Sequence, residues 1–184
     1  MAGLSAFGSG SATAAPPLGE IPGAGIAWPF PDFDSGTARS AVLGPALSYH
    51  QQRTHAKQPY NEQNRGIGFE RRGLLRSADR WEAGIRANFL EDSFAKPALF
   101  LDTQLTHSML RLGDTDSRIG LTLGAAYKTS GWEDERDWVG YAGPTLVIRH
   151  RPSGLSLSTV YVYRRNASTD KVNGVFTLQA GLDF

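Results

Sequence analysis

Large apolar residues return at every second position along much of the chain, with small or polar ones between them. The last run shows this most plainly. Phe176, Leu178, Ala180, Leu182 and Phe184 share one face, and Val175, Thr177, Gln179, Gly181 and Asp183 share the other. In 79–89, Trp81, Ala83, Ile85, Ala87 and Phe89 oppose Glu82, Gly84, Arg86 and Asn88. In 117–128, Ile119, Leu121, Leu123, Ala125 and Tyr127 oppose Arg118, Gly120, Thr122, Gly124, Ala126 and Lys128. A period of two is the signature of a β-strand. Eight runs follow from it, at 41–50, 63–72, 79–89, 97–107, 117–128, 138–150, 154–164 and 174–184.

A soluble calycin-like barrel, packed the other way round, has the same alternation. Two features place lipid outside instead. Runs of ten or more residues exceed the usual soluble strand of about five or six, and eight is the smallest even number that closes a membrane barrel around a polar lumen. Aromatic residues also gather near run ends (Trp81, Phe89, Tyr127, Trp138, Tyr161, Tyr163, Phe184). Short connections at 73–78 and 151–154 stand against long polar loops at 51–62, 90–96, 129–137 and 165–173. The fold expected is therefore all-β: an eight-stranded antiparallel up-and-down transmembrane β-barrel over 39–184, with an irregular leader. That leader, 1–38, is rich in Gly, Ala, Ser and Pro and broken by AAPPLGEIPGAG and WPFPDF. Its Trp28, Phe30 and Phe33 suit either a membrane interface or the base of the domain.

Composition narrows the chemistry. Nineteen Lys and Arg stand against eighteen Asp and Glu in 184 residues, a balance with no footprint for nucleic acid. With no cysteine, disulfides, thiolate metal sites and a cysteine nucleophile are excluded. No window is apolar for long enough to make a transmembrane helix. The N-terminus lacks the basic and apolar regions of a signal peptide, although Ala12-Thr13-Ala14 has the look of a cleavage-site tail. This counts against export.

The candidate chemistry lies on the long-loop rim. His50 ends the first run, and Asp92-Ser93 follow the third. In a meander those two run ends share a rim, which brings a base, an acid and a hydroxyl within reach of one another. The alternative reading makes His50 a hydrogen-bonded lumen residue and Asp92-Ser93 a turn. His55 lies solvated in a polar loop, and His107 and His150, toward the opposite rim, have no second ligand at metal spacing, so no metal site is expected. The acidic stretch Glu133 to Asp137 reads as a solvated loop, or less readily as a site for divalent ions that bridge lipopolysaccharide.

LSYH, then YNEQNRGIGFE, then FLEDSFAKP, then a terminal Phe, together resemble the lipid A palmitoyltransferase family of outer-membrane barrels over about 41–184. The resemblance implies a Gram-negative outer membrane and transfer of a fatty acyl chain from a phospholipid donor to a lipid A acceptor. It implies no metal or organic cofactor, and a monomer. It places His50, Asp92 and Ser93 at the catalytic positions, with His50 as base, Ser93 as the hydroxyl near the ester and Asp92 as orienting or polar partner. Pro45, Pro144 and Pro152 resemble the prolines that open lateral lipid gates, since proline removes a ladder donor. Asp102 falls where the family has a glycine flooring its acyl-chain pocket, and Glu82 and Arg86 project inward beside it. A buried carboxylate needs a partner, so Asp102 is expected to pair with Arg86 or Arg118 and to shorten or fill the chain cavity. Two alternatives follow. One is a non-enzymatic structural or interaction barrel with a filled polar lumen, its loops binding lipopolysaccharide or a partner. The other is an acyl-ester hydrolase using the same rim residues.

Overall fold

The computed structural model describes residues 34, 36–51, 59–76, 78–129, 135–165 and 172–184, with the side chains of 164, 165, 172 and 173 excepted. The expected irregular leader falls almost wholly outside the described residues. So do His55, Trp28, Phe30, Phe33 and, of the acidic stretch, Glu133 and Asp134.

Among the described residues nine strands make one antiparallel sheet: β1 (Arg39–His50), β2 (Gln63–Asn64), β3 (Gly66–Leu75), β4 (Ala78–Glu91), β5 (Pro97–Leu112), β6 (Thr115–Thr129), β7 (Arg136–His150), β8 (Leu155–Arg165) and β9 (Val172–Asp183). β1 pairs with both β2 and β3, each strand from β3 onward pairs with the next in the chain, and β1 pairs with β9 to close the ring. Both β2 and β3 lie along the same side of β1, so they form one stave interrupted at Arg65. The barrel therefore has eight staves. At the interruption Gly66 has φ of 145°, and a Cβ there would lie 2.1 Å from the carbonyl oxygen of Phe89. Only glycine fits that corner.

Short turns join β3 to β4, β5 to β6 and β7 to β8, on the rim that also holds Arg39 and Phe184. The longer connections share the opposite rim with His50. The β5–β6 hairpin departs from expectation: its strands reach Leu112 and start again at Thr115, well beyond runs ending at 107 and starting at 117. A register shift between Ser108 and Leu110 is the cause. An extra residue in one strand reverses the inside–outside alternation beyond it, so a period-two reading stops at the bulge.

The faces are distributed as hydrocarbon outside requires. Leu121, Leu123, Leu178, Leu182, Phe69 and Phe89 point outward and are exposed, while Arg72, Arg86, Asn88, Asp102, Gln104, Thr106, Arg118 and Thr122 are buried inside. Near the long-loop rim Tyr127 and Trp138 lie side by side on the outer wall, ring centres 5.5 Å apart. Such rings suit the interfacial zone.

The lumen is crossed by polar layers. Nearest the long-loop rim, Gln179 donates to Asn88 Oδ1 and to the carbonyl of Gly44, both at 2.9 Å. At mid-height Arg86 Nε donates to Asp102 Oδ1 and Tyr141 Oη to Asp102 Oδ2, each at 2.7 Å. Arg86 and Asp102 face each other across β4 and β5, whereas Arg118 stands opposite Ser108, lower in the barrel. Of the two partners expected for Asp102, register selects Arg86. Gly124 makes room for this layer, since a Cβ there would lie 2.5 Å from that of Asp102 and 2.7 Å from the Tyr141 ring. With its oxygen turned toward Arg86, the Gln104 carboxamide accepts from Nη1 at 3.0 Å. Below this, Glu82 accepts from Arg149 Nη1 at 2.6 Å and lies 3.9 Å from both Arg72 and Arg118. Arg72 also binds Glu70 at 2.6 Å and both oxygens of Asp183, and Arg118 binds Asp116 at 3.1 Å.

Two outcomes follow for stability. Leu123→Arg puts a cation on the outer wall near mid-height, and its unfolding free energy in bilayers is expected to fall by about 2–4 kcal/mol, measured by urea titration. Arg86→Met or Asp102→Leu alone strands a buried charge and is expected to cost about 3–5 kcal/mol, whereas the double variant should cost much less. Additive losses in that cycle would mean that the pair is not coupled.

Candidate functional site

The long-loop rim gathers side chains from β1, the segment 59–64 and the β4–β5 loop. His50 is the last residue of β1 and turns inward, where its Nε2 lies 2.9 Å from Ser93 Oγ. The two are 43 residues apart in sequence. The Tyr60 ring stacks on the imidazole, centres 4.4 Å apart and planes 23° from parallel, and Phe94 meets Tyr60 edge-on at 5.8 Å. His50 is therefore held between an aromatic plate and a hydroxyl. Its Nδ1 is buried and has no hydrogen-bond partner among the described residues.

Asp92 does not join the pair. It is 1% exposed, and its carboxylate accepts from backbone amides: Phe94 N at 2.8 Å and Lys96 N at 3.0 Å on Oδ1, Thr129 N at 3.0 Å on Oδ2. Its own backbone pairs with Lys96, and Ala95 takes φ of 58° to close the turn. The role expected of Asp92, a polar partner to His50 and Ser93, is therefore not the one its bonds describe. It builds the loop that presents Ser93 and ties that loop to the end of β6. An aspartate followed by a tight turn does this through side-chain to backbone bonds, while orienting the imidazole would need a bond to Nδ1.

Two asparagines of the segment after Tyr60 complete the scaffold. Asn61 N donates to the Ser93 carbonyl at 2.8 Å, and Asn61 Nδ2 donates to the Asp92 carbonyl at 3.2 Å. Asn64 Nδ2 donates to the Glu91 carbonyl at 2.8 Å, while its Oδ1 is buried with no partner among the described residues. The signal for Asn61 was the Tyr-Asn-Glu string itself, whose polar side chains stand just before β2, where Asn61 reaches the next hairpin's loop.

Pro45 stands at a register shift in β1, between Leu43 and Ala46. The β1–β3 ladder ends at Leu43 and pairing resumes through β2 at Ala46. Pro144 pairs across β6 with Leu121, while the ladder between β7 and β8 covers only Thr145 to His150. Both prolines thus mark the ends of ladder segments. Pro152 is different. It lies in the exposed turn between β7 and β8, on the rim away from His50, and interrupts no ladder. At the second position of the turn from Arg151 to Gly154 it needs no gate to explain it. Asp102, Arg86 and Glu82, expected at the floor of an acyl pocket, all face the lumen as ion-paired groups.

A closed antiparallel sheet, apolar outside and ion-paired within, defines a transmembrane β-barrel. Every backbone group that meets lipid must bond inside the sheet, and closure is how strands achieve it. Among solved structures the chain is similar to Ail, the attachment invasion locus protein of Yersinia pestis, with 16% identity, a TM-score of 0.37, and coverage of 80% of this chain and 99% of that one. It is also similar to Neisserial surface protein A, with 12% identity, a TM-score of 0.42, and coverage of 82% and 98%. Neither similarity, at these scores, bears on what the rim does. No family model matches the chain, and no curated protein matches it in sequence.

Asp92→Ala removes the acceptor of three amides and is expected to open the β4–β5 loop. Proteolysis of the folded protein should move to 92–96, and amide exchange at Phe94, Lys96 and Thr129 should rise together. Unchanged exchange at those three amides would show that the carboxylate does not hold the loop.

Proposed function

We propose that this chain is an outer-membrane β-barrel of Gram-negative type, with a lumen closed by polar side chains and its long-loop rim as the working surface. It serves as a structural or interaction barrel whose loops bind lipopolysaccharide or a partner. The observation that supports this reading is the mid-barrel layer of Arg86, Asp102 and Tyr141. Buried charges this tightly paired occupy the path that a permeating solute or a long acyl chain would take, and separating them is costly. The outer membrane follows from the wall, because a band of exposed Leu and Phe around a polar lumen suits a bilayer spanned by strands.

The His50–Ser93 contact favours a second reading, acyl-ester chemistry at the rim. At 2.9 Å the imidazole is within proton-transfer reach of the hydroxyl. As an acceptor hydroxyl adds to the ester carbonyl of a phospholipid, His50 Nε2 takes its proton, and the departing lyso-lipid oxygen takes that proton back. With a lipid A hydroxyl as acceptor the product is an acylated lipid A, in line with the family resemblance. With water it is a free fatty acid. Asp92 enters this reading only through the loop that places Ser93.

The test is to refold the protein in detergent, confirm a heat-modifiable barrel, and incubate it with labelled phospholipid and lipid A. His50→Ala and Ser93→Ala variants run beside it. The interaction reading expects neither acylated lipid A nor free fatty acid, and no steady conductance in planar bilayers. Labelled lipid A, or free fatty acid, lost in both variants would replace it with the transferase or the hydrolase respectively. Acyl transfer relying on this pair is expected to fall by about 100-fold or more without its base.

A further inference from the structure

The rim with the short turns opens into a cavity of 740 Å³, at the end of the barrel away from His50 and Ser93. Its lining is mixed in charge, and the charges do not balance. Arg72, Arg118 and Arg149 line it with their partners Asp183, Asp116 and Glu82. Arg39, Arg80, Arg111 and Arg151 line it too, and among the described residues none of these four has an ion-pair partner. Asp79 is the other acid in the wall. Seven guanidinium groups stand against four carboxylates in the wall, and Glu70, bound to Arg72 from behind it, leaves a surplus of two positive charges at one concave space.

One of the buried arginines is short of acceptors. Arg149 is 9% exposed, and its Nη1 is engaged by Glu82 at 2.6 Å. Its Nε is buried with no acceptor, and its Nη2 makes no hydrogen bond among the described residues. A buried donor left unpaired carries a desolvation cost that an anion can relieve. Guanidinium forks match phosphate oxygens in pairs, which a set of lysines would not do as well. The volume lies within the range of small-ligand sites, about 300–1,000 Å³, and exceeds what one phosphate fills. Met109 and Leu110 of β5 also line the opening, and both are exposed. An apolar lip beside a cationic hollow suits a phosphate that carries an acyl tail, and also leaves room for a soluble one.

We propose that this vestibule is a phosphate-binding site, with Arg39, Arg80, Arg111 and Arg151 gathering the anion at the mouth and Arg149 receiving it at the base. The source is either the headgroup of an anionic phospholipid or a soluble phosphate compound. The site is independent of the chemistry at the other rim, and only its lipid arm relies on the chain residing in a membrane.

The experiment uses the full chain, refolded in a maltoside detergent and labelled with 15N at arginine. Arg149 Nε–H is buried, so its side-chain resonance is expected to be sharp, and the Arg149→Lys variant assigns it by its loss. Pyrophosphate at low ionic strength is expected to shift this resonance saturably, and sodium chloride of equal ionic strength is not. Arg80→Gln with Arg151→Gln changes exposed residues only and should leave heat-modifiability intact. In that double variant, apparent affinity is expected to fall by at least about tenfold, as the loss of charge-assisted contacts implies. If Arg149→Lys fails to fold, the double variant still decides, read on any arginine resonance that responds to pyrophosphate in the wild type. A second arm places the protein in phosphatidylcholine nanodiscs with and without phosphatidylglycerol. Saturation by pyrophosphate supports the site with a soluble source. A shift that requires phosphatidylglycerol supports it with a lipid headgroup. No response in either arm, a response matched by chloride, or one unaltered in the double variant overturns the proposal.

Discussion

A backbone in hydrocarbon has no water to bond with, and the rest of the structure depends on meeting that demand. Each strand must find a partner on both sides, so the sheet has to return to itself through β1 and β9. Closure creates an interior too narrow to remain empty, and alternation sends every second side chain into it. The exterior can then be Leu and Phe with no partner of any kind. The interior, receiving Arg, Glu, Asp and Gln, has to be solved as a single packing and charge problem. Glu82 shows how tight the solution is, with Arg149 bonded to it and Arg72 and Arg118 both at 3.9 Å.

Much of this was legible in the sequence because a strand's period is short and local. The inward set Glu82, Arg86, Arg118 and Thr122 can be read from alternation alone. Once the long loops are known to follow alternate strands, His50 and Ser93 fall on one rim. The β5–β6 hairpin was not legible, because the bulge beyond Ser108 hides the continuing strand from any reading of period two. Whether Asp102 takes Arg86 or Arg118 was also out of reach. That choice belongs to register, which long-range pairing sets and composition does not.

The rim shows a further limit. Residue types point to Asp92 as a partner for histidine, yet the carboxylate spends its capacity on three amides of its own loop and the end of β6. Side-chain to backbone bonds of that kind depend on how a few residues turn, and the turn is visible only with the backbone in place. Tyr60 and Asn61 teach the converse. They are short-range neighbours of a strand start, yet act across the rim by stacking on His50 and holding the backbone of Ser93. Pro152, expected at a lateral gate, stands instead in the turn between β7 and β8, because the short connection at 151–154 outweighs the family likeness there.

The three-armed contact of Glu82 has a consequence for how such a chain can change over generations. Outward positions tolerate almost any exchange among Leu, Ile, Val and Phe, one substitution at a time, because lipid is an undemanding neighbour. Glu82 cannot drift in this way. Replacing it leaves Arg149 without its acid and removes negative charge from beside Arg72 and Arg118, so a surviving lineage must alter several lumen residues in concert. The two faces of each strand are therefore under unequal constraint: a change on the wall can stand alone, and a change at Glu82 needs compensation from its arginines.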